Sequence, residues 1–136
     1  MNIQIRYQSH GGNTKEVAET IAKAIGIPAE TIENPIIEPI DLLIIGGGVY
    51  KLDIDPSLKN FLESLDQKLV KSVAAFTTAG MLNKTEKILS IVKSKGINAE
   101  KETLSIKVGA RNHAGLGGKG YMKLTEKQIM LISVCL

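Results

Sequence analysis

Cysteine, tryptophan and long apolar runs are what this sequence lacks most clearly. Its single cysteine, Cys135, cannot close an internal disulfide, has no partner cysteines for a structural zinc site, and stands too near the end for a prenylation signal; it reads as structural. No stretch approaches the roughly 20 apolar residues that a membrane-spanning helix needs. The opening "MNIQIRYQ" alternates apolar and polar positions where a secretion signal would be continuously apolar. A cytoplasmic protein with no membrane partner is the expectation. There is no tryptophan, and only three tyrosines and two phenylalanines accompany 17 basic side chains. Residues 1–80 carry 7 basic and 10 acidic side chains, net −3, and residues 81–136 carry 10 basic and 4 acidic, net +6. The lysines of this basic half are spread out and only Tyr121 among them offers a stacking surface, so a solvated face is expected there and no nucleic-acid partner. His10 and His113, without clustered cysteines or acids, make no metal site.

What is present is a chain of 136 residues, 43% apolar, which suits one domain with one core. "NIQIRY" (Asn2 to Tyr7) reads as a first strand. Val17, Ala18, Ile21, Ala22 and Ile25 then recur at helical spacing up to Gly26, a helix stop. Asn13 with Glu16 fits a capping arrangement at the start of that helix. The three prolines Pro28, Pro35 and Pro39 leave room between them for no more than a weak edge strand. "DLLIIGGG" is the continuous apolar run of a strand covered on both faces, near the middle of a parallel sheet, and "VYKLDID" reads as a loop after it. Asp55 caps and Pro56 opens a helix with the stripe Leu58, Phe61, Leu62 and Leu65. A strand over Ser72 to Thr78, a helix capped by Asn83 and Glu86 and stopped at Gly96, and a last strand over Glu102 to Val108 follow. A loop over Gly109 to Gly120 and a short terminal helix opened by Thr125 and Gln128 complete the order. Strands alternating with helices predict an α/β fold: a doubly wound, five-stranded parallel sheet in three α/β/α layers.

Ligands of such sheets bind outside the carboxyl ends of the strands, where the loops Gln8 to Thr14, Gly46 to Asp55, Thr77 to Asn83 and Gly109 to Gly120 converge. The first loop, "SHGGNT", is the most informative. Gly11 and Gly12 let the backbone approach an anion, the amides at a helix start are unpaired, and the helix dipole adds positive potential. Ser9 and Thr14 bring hydroxyls, Asn13 an amide and His10 a ring nitrogen, so a phosphate group is the natural guest. The plainer alternative is that the glycines only make a tight turn.

The stretch "SHGGNTKEVA" resembles the phosphate-binding loop of the flavodoxins, with Ser9, Gly12, Asn13 and Thr14 in matching positions. "DLLIIGGGVY" is similar to that family's third strand and the start of the loop beside its flavin, where Gly46, Val49 and Tyr50 fall in place, and "AAFTTAG" resembles its fourth strand and following loop. The resemblance covers residues 1 to about 96 and becomes vague from Gly109 onward. It implies a flavodoxin-like fold and noncovalent flavin mononucleotide, with phosphate in Ser9, His10, Gly11, Gly12, Asn13 and Thr14. The ring would lie between Gly47, Gly48, Val49, Tyr50, Lys51 and Leu52 on one side and Thr77, Thr78, Ala79 and Gly80 on the other. Tyr50 would stack on the ring and shape its potential, because electron-rich surroundings of low dielectric disfavour the negatively charged reduced flavin.

Several positions depart from the family. Gly11 stands where a threonine is usual, so one hydroxyl donor is missing. No glycine follows Tyr50 in "YKLDID", and Lys51, Leu52 and Asp53 meet a steric penalty at positive φ that glycine avoids, which brings two-electron, quinone-reductase-type chemistry within reach. The sequence pI near 9.0 does not suit the acidic face by which electron-carrying flavodoxins meet basic partners. "GLGGKG" (Gly115 to Gly120) satisfies a dinucleotide fingerprint by letter only, since too little chain follows it, and Lys119 precedes glycine where a P-loop needs Ser or Thr. Arg6, Tyr7 and Gln8 stand where a phospho-receiver would need acids. The expectation is a redox protein in which the flavin does the chemistry, no side chain acts as acid, base or nucleophile, and electrons pass to a protein or small-molecule acceptor. The alternative is a cofactor-free module of the same fold that docks a partner through its basic second half.

Overall fold

The computed structural model describes residues 2–50, 53–79, 85–100 and 104–107 of the chain. Strand β1 (Ile3–Gln8) sends Ile5 and Tyr7 to one face of the sheet and Arg6 and Gln8 to the other, as the period of two requires. The next element is helix α1 (Asn13–Ile25), which buries Val17, Ala18, Ile21 and Ala22. It ends at Gly26, whose φ of 75° lets its amide reach back to the Ala22 carbonyl. The weak edge strand among the prolines is β2 (Ala29–Thr31), paired parallel with β1.

Strand β3 (Ile40–Tyr50) is central, with β1 on one side and β5 (Val70–Ala79) on the other, all parallel. Between them in sequence come β4 (Asp53–Ile54) and helix α2 (Pro56–Glu63), and after β5 come α3 (Thr85–Ser94), β6 (Asn98–Ala99) and β7 (Leu104–Lys107). β6 pairs with β5 at Ser72 and Val73, and β7 pairs with it from Phe76 to Ala79, so these two segments share one edge position. Five parallel positions in the order β2-β1-β3-β5-β6/β7 result, the five-stranded doubly wound sheet that the alternation of elements predicts. Two differences from the sequence reading stand out. The last strand begins earlier, with Asn98–Ala99, and "VYKLDID" is not simply a loop: Val49 faces Ile54 and Tyr50 faces Asp53 in an antiparallel pair.

The two faces carry separate cores. Ile5, Tyr7, Leu42, Ile44, Ala74 and Phe76 pack under α1, and Leu43, Ile45, Val73 and Ala75 pack under α2 and α3 with Leu58, Leu62, Ile88 and Val92. Helices on both faces make the three layers. Leu65 lies past the end of α2 but still belongs to the second core. Arg6 is the one buried cation among the described residues. Its guanidinium donates to the Asn34 carbonyl at 2.8 Å and to Gln4 Oε1 at 2.7 Å, and pairs with Glu30 at 3.1 Å, which ties the edge strand and its turn to β1. Burial pulls its pKa below the ordinary value and Glu30 opposes the shift; an arginine keeps its charge regardless.

Candidate functional site

The carboxyl ends of β1, β3 and β5 lie side by side. Gln8 is opposite Gly47, Gly47 is opposite Thr77, and Gly48 is opposite Thr78. The first loop leaves this edge and enters α1 through Gly12, whose backbone is left-handed (φ 92°, ψ −10°). Gly12 is the N-cap, and no side chain caps the helix. The Asn13–Glu16 capping arrangement is therefore corrected: Asn13 is already the first helical residue, because the left-handed bend that only glycine adopts cheaply comes one position earlier. The Gly12 carbonyl accepts from Glu16 N at 3.0 Å, while the amides of Asn13 and Thr14 have no acceptor among the described residues. A Cβ placed on Gly11 or Gly12 would meet nothing within 4 Å. One loop amide is already used, since Gly12 N donates to Ser9 Oγ at 3.0 Å; the Ser9 hydroxyl keeps its own proton for another acceptor.

The Thr14 hydroxyl lies 2.7 Å from that of Thr78, and both residues are buried. This contact bolts the start of α1 to the end of β5. Two hydroxyls bring two protons and their mutual bond uses one, so the pair keeps one donor. Thr14→Val alone is expected to lower stability by about 1–3 kcal/mol, because it leaves Thr78 with an unmet buried hydroxyl, whereas the Thr14→Val, Thr78→Val double variant recovers most of the loss. Urea denaturation of the three variants checks this, and additive losses would contradict it.

His10, exposed in the same loop, reaches across to the second helix: its Nε2 is 2.6 Å from Asp55 Oδ2. Asp55 is the N-cap of α2, and its Oδ1 accepts from Ser57 N at 2.8 Å and from the Ser57 hydroxyl. Burial alone would raise the Asp55 pKa, but the hydrogen bonds from Ser57 and His10 together hold it below the ordinary aspartate value. Asp53 is paired with Lys87 of α3 at 2.7 Å, and the hydrogen bond from Lys87, followed by that from Ile54 N, lowers its pKa as well. Sequence reasoning gives Asp55 only as a cap and Asp53 only as one of the non-glycine residues after Tyr50, and it does not reach Lys87. Their partners are 45 residues away for Asp55 and on helix α3 for Asp53, so spacing carries no trace of either contact.

Of the sequence-predicted site residues, Ser9, His10, Gly11, Gly12, Asn13 and Thr14 stand together at the start of α1, and Gly47, Gly48, Val49, Tyr50, Thr77, Thr78 and Ala79 lie on the adjoining strand ends. Lys51, Leu52 and Gly80 are outside the described residues, as are Asn83, the 109–120 stretch and the terminal helix expected from Thr125 and Gln128. Two of the called residues have packing roles. A Cβ on Gly47 would lie 2.4 Å from Leu58, so this glycine lets α2 sit against the sheet. Thr77 is fully buried, and its Oγ1, like the Oε1 of its row neighbour Gln8, has no partner among the described residues. One groove formed by the described residues, of about 560 Å³, lies beside α2 and is lined by Ile32, Pro35, Ile36 and Phe61. Among the described residues no three His, Cys, Asp or Glu side chains cluster as a metal site, and no helix is long and apolar enough to cross a membrane.

Fold and site together define a doubly wound α/β protein whose first loop, between its first strand and first helix, enters the helix through a left-handed glycine. Family comparison takes the assignment further: the Flavodoxin domain matches residues 4–134, and the chain belongs to that family. The match runs well past residue 96, where the resemblance read from motifs faded. Among solved structures, the chain is similar to oxidised flavodoxin 2 from Bacillus cereus (15% identity, all of both chains covered, TM-score 0.69). It is also similar to a flavodoxin from the domain Archaea (16% identity, 96% of this chain and 99% of that one, TM-score 0.61). A metal-soaked flavodiiron core from Synechocystis sp. PCC6803 matches at 14% identity and TM-score 0.66; it covers 99% of this chain, which spans 36% of that longer one. Comparison with curated proteins gave no match.

Proposed function

We propose that this protein binds flavin mononucleotide noncovalently and passes electrons from a reductant to a protein or small-molecule acceptor. The observation that carries the reading is the left-handed Gly12 cap, with open space above Gly11 and Gly12 and helix-start amides that have no acceptor among the described residues. Backbone donors at the positive end of a helix suit a dianionic phosphate and need no lysine. Ser9 and the Thr14–Thr78 pair each retain a hydroxyl proton to add to them. The flavin, when bound, supplies the redox chemistry.

The chain's own part is to position the ring and set its surroundings. Gly47, Gly48, Val49, Tyr50 and Lys51 would form one wall and Thr77, Thr78, Ala79 and Gly80 the other, with Tyr50 as the stacking side chain. The antiparallel pairing of Tyr50 with Asp53 and the Asp53–Lys87 contact brace the first wall against α3. Because Tyr50 and Asp53 are paired and no glycine stands between them, the reading leans toward two-electron transfer of the quinone-reductase type. Most of the basic residues on which a cofactor-free docking module would rely lie outside the described residues, and no contact described above favours that alternative. Adding flavin mononucleotide to the purified protein should give saturable quenching of flavin fluorescence; no quenching even at millimolar flavin would defeat the proposal.

A further inference from the structure

The two walls assigned to the flavin ring are carried by different strands. The first lies at the end of β3, which pairs back with β4, and the second lies at the end of β5, which α3 follows in the chain. Among the described residues, one ion pair joins the elements that come after the walls: Lys87 Nζ of α3 is 2.7 Å from Asp53 Oδ1 of β4. Both partners are held from behind. Asp53 Oδ1 also accepts from Ile54 N at 2.7 Å, Ile54 is buried in the second core, and the backbones of Val49 and Tyr50 pair with those of Ile54 and Asp53. Lys87 is followed by Ile88, which is fully buried in the same core. Groups anchored in this way give up less conformational entropy on pairing than free ones do. The helix itself has no use for a lysine here. Lys87 is the third residue of α3, in the turn where the helix dipole disfavours a cation, so its charge is explained by Asp53 and not by helix stability.

We infer that Lys87 is a positioning residue for the flavin ring: its pair with Asp53 clasps the two walls together and fixes the gap between them. The inference rests on the proposed binding of flavin mononucleotide and goes beyond it, because it gives a role to a helix that carries no residue of either wall. A ring held between two loops loses affinity when the loops must be ordered as it binds. The clasp spares part of that cost by tying β4 to α3 before any ligand arrives. It is a modest device. Lys87 is 41% exposed and Asp53 45%, and exposed pairs shift an equilibrium by about twofold to fivefold.

The test is titration of flavin mononucleotide and of riboflavin, which has the ring but no phosphate, into the wild type, Asp53→Asn, Lys87→Met, the double variant of these two, and Lys87→Arg. Asn keeps an acceptor for Ile54 N and Met keeps the apolar stem of the lysine, so charge is what each removes. The expected result is an affinity lower by about twofold to fivefold for both ligands in each single variant, a double variant no weaker than either single, and wild-type affinity in Lys87→Arg. Riboflavin is uncharged, so salt reaches its binding through the protein's own charges. Raising NaCl from about 0.05 to about 0.5 M should narrow the difference in riboflavin affinity between the wild type and the double variant. In the ligand-free protein, hydrogen exchange at the Asp53 and Ile54 amides should be faster in the single variants than in the wild type. Unchanged flavin mononucleotide affinity in both single variants, a loss for flavin mononucleotide alone, additive losses, a lower affinity in Lys87→Arg, a difference that salt does not narrow, or unchanged exchange would overturn the inference and leave the proposed function standing. Absence of flavin mononucleotide binding in the wild type would remove both.

Discussion

Gly12→Val is expected to lower affinity for flavin mononucleotide by about a hundredfold or more while weakening riboflavin binding far less. The reason is geometric. Gly12 sits at φ 92°, a region that a β-branched residue enters only with strain, so valine either bears that strain or turns the peptide that presents the first amides of α1. A Cβ there meets no protein atom within 4 Å, so the valine would project into the hollow assigned to the phosphate and not into the core. Folding should therefore survive at a cost of about 1–3 kcal/mol, seen as a modest fall in Tm with an unchanged circular dichroism spectrum. Gly12→Ala should fall between the two. Equal loss of flavin mononucleotide and riboflavin would argue against a phosphate in this turn.

The architecture was legible in the sequence because each signal was local. The run "DLLIIGGG" (Asp41 to Gly48) announced a central strand, Asp55–Pro56 announced a helix start, and Gly26 and Gly96 announced helix ends, all of which the structure contains; both glycines have positive φ. Where two local signals competed, the choice went wrong. Asn13 and Glu16 matched a capping pattern, but the positive φ of Gly12 decides the cap, and no residue pattern records a dihedral angle. The Tyr50–Asp53 pairing was missed because antiparallel strands this close in sequence are normally announced by Gly, Asn or Asp between them, and the sequence between Tyr50 and Asp53 has none of these. The second bond of Asp55 was out of reach for another reason. It depends on the first loop and the start of α2 meeting at the same edge of the sheet, which follows from strand order and not from any short window.

The same distinction separates Gly46 from its neighbours. By motif it opens the loop beside the flavin, yet by register it lies between Tyr7 and Phe76, one row below the edge. A Cβ at Gly46 would lie 1.9 Å from Cζ of Phe76 and 2.1 and 2.3 Å from its Cε atoms, so the ring occupies the space that any side chain would need. Phe76 is 1% exposed and packed in the core under α1 with Ile5, Tyr7, Val17 and Ile21, which leaves the ring little room to withdraw. Gly46→Ala is therefore expected to destabilise the fold by about 3 kcal/mol, the upper end of what overpacking usually costs. A fall in Tm of roughly 10 °C would accompany it. Phe76→Leu alone opens a cavity and should cost about 1–3 kcal/mol. In the double variant the methyl group moves into the space the ring vacates, so the two losses should fall short of their sum by about 1–3 kcal/mol. Thermal and urea unfolding of the three proteins measures this, and a Gly46→Ala variant within 1 kcal/mol of wild type, about the limit for a harmless surface change, would show that the ring is not locked. Because β3 carries Gly47 and Gly48 on the next two residues, a strained Gly46 also shifts the wall proposed for the flavin. Any loss of flavin affinity in Gly46→Ala should accordingly return with Phe76→Leu, which no direct contact between Gly46 and the ligand would allow.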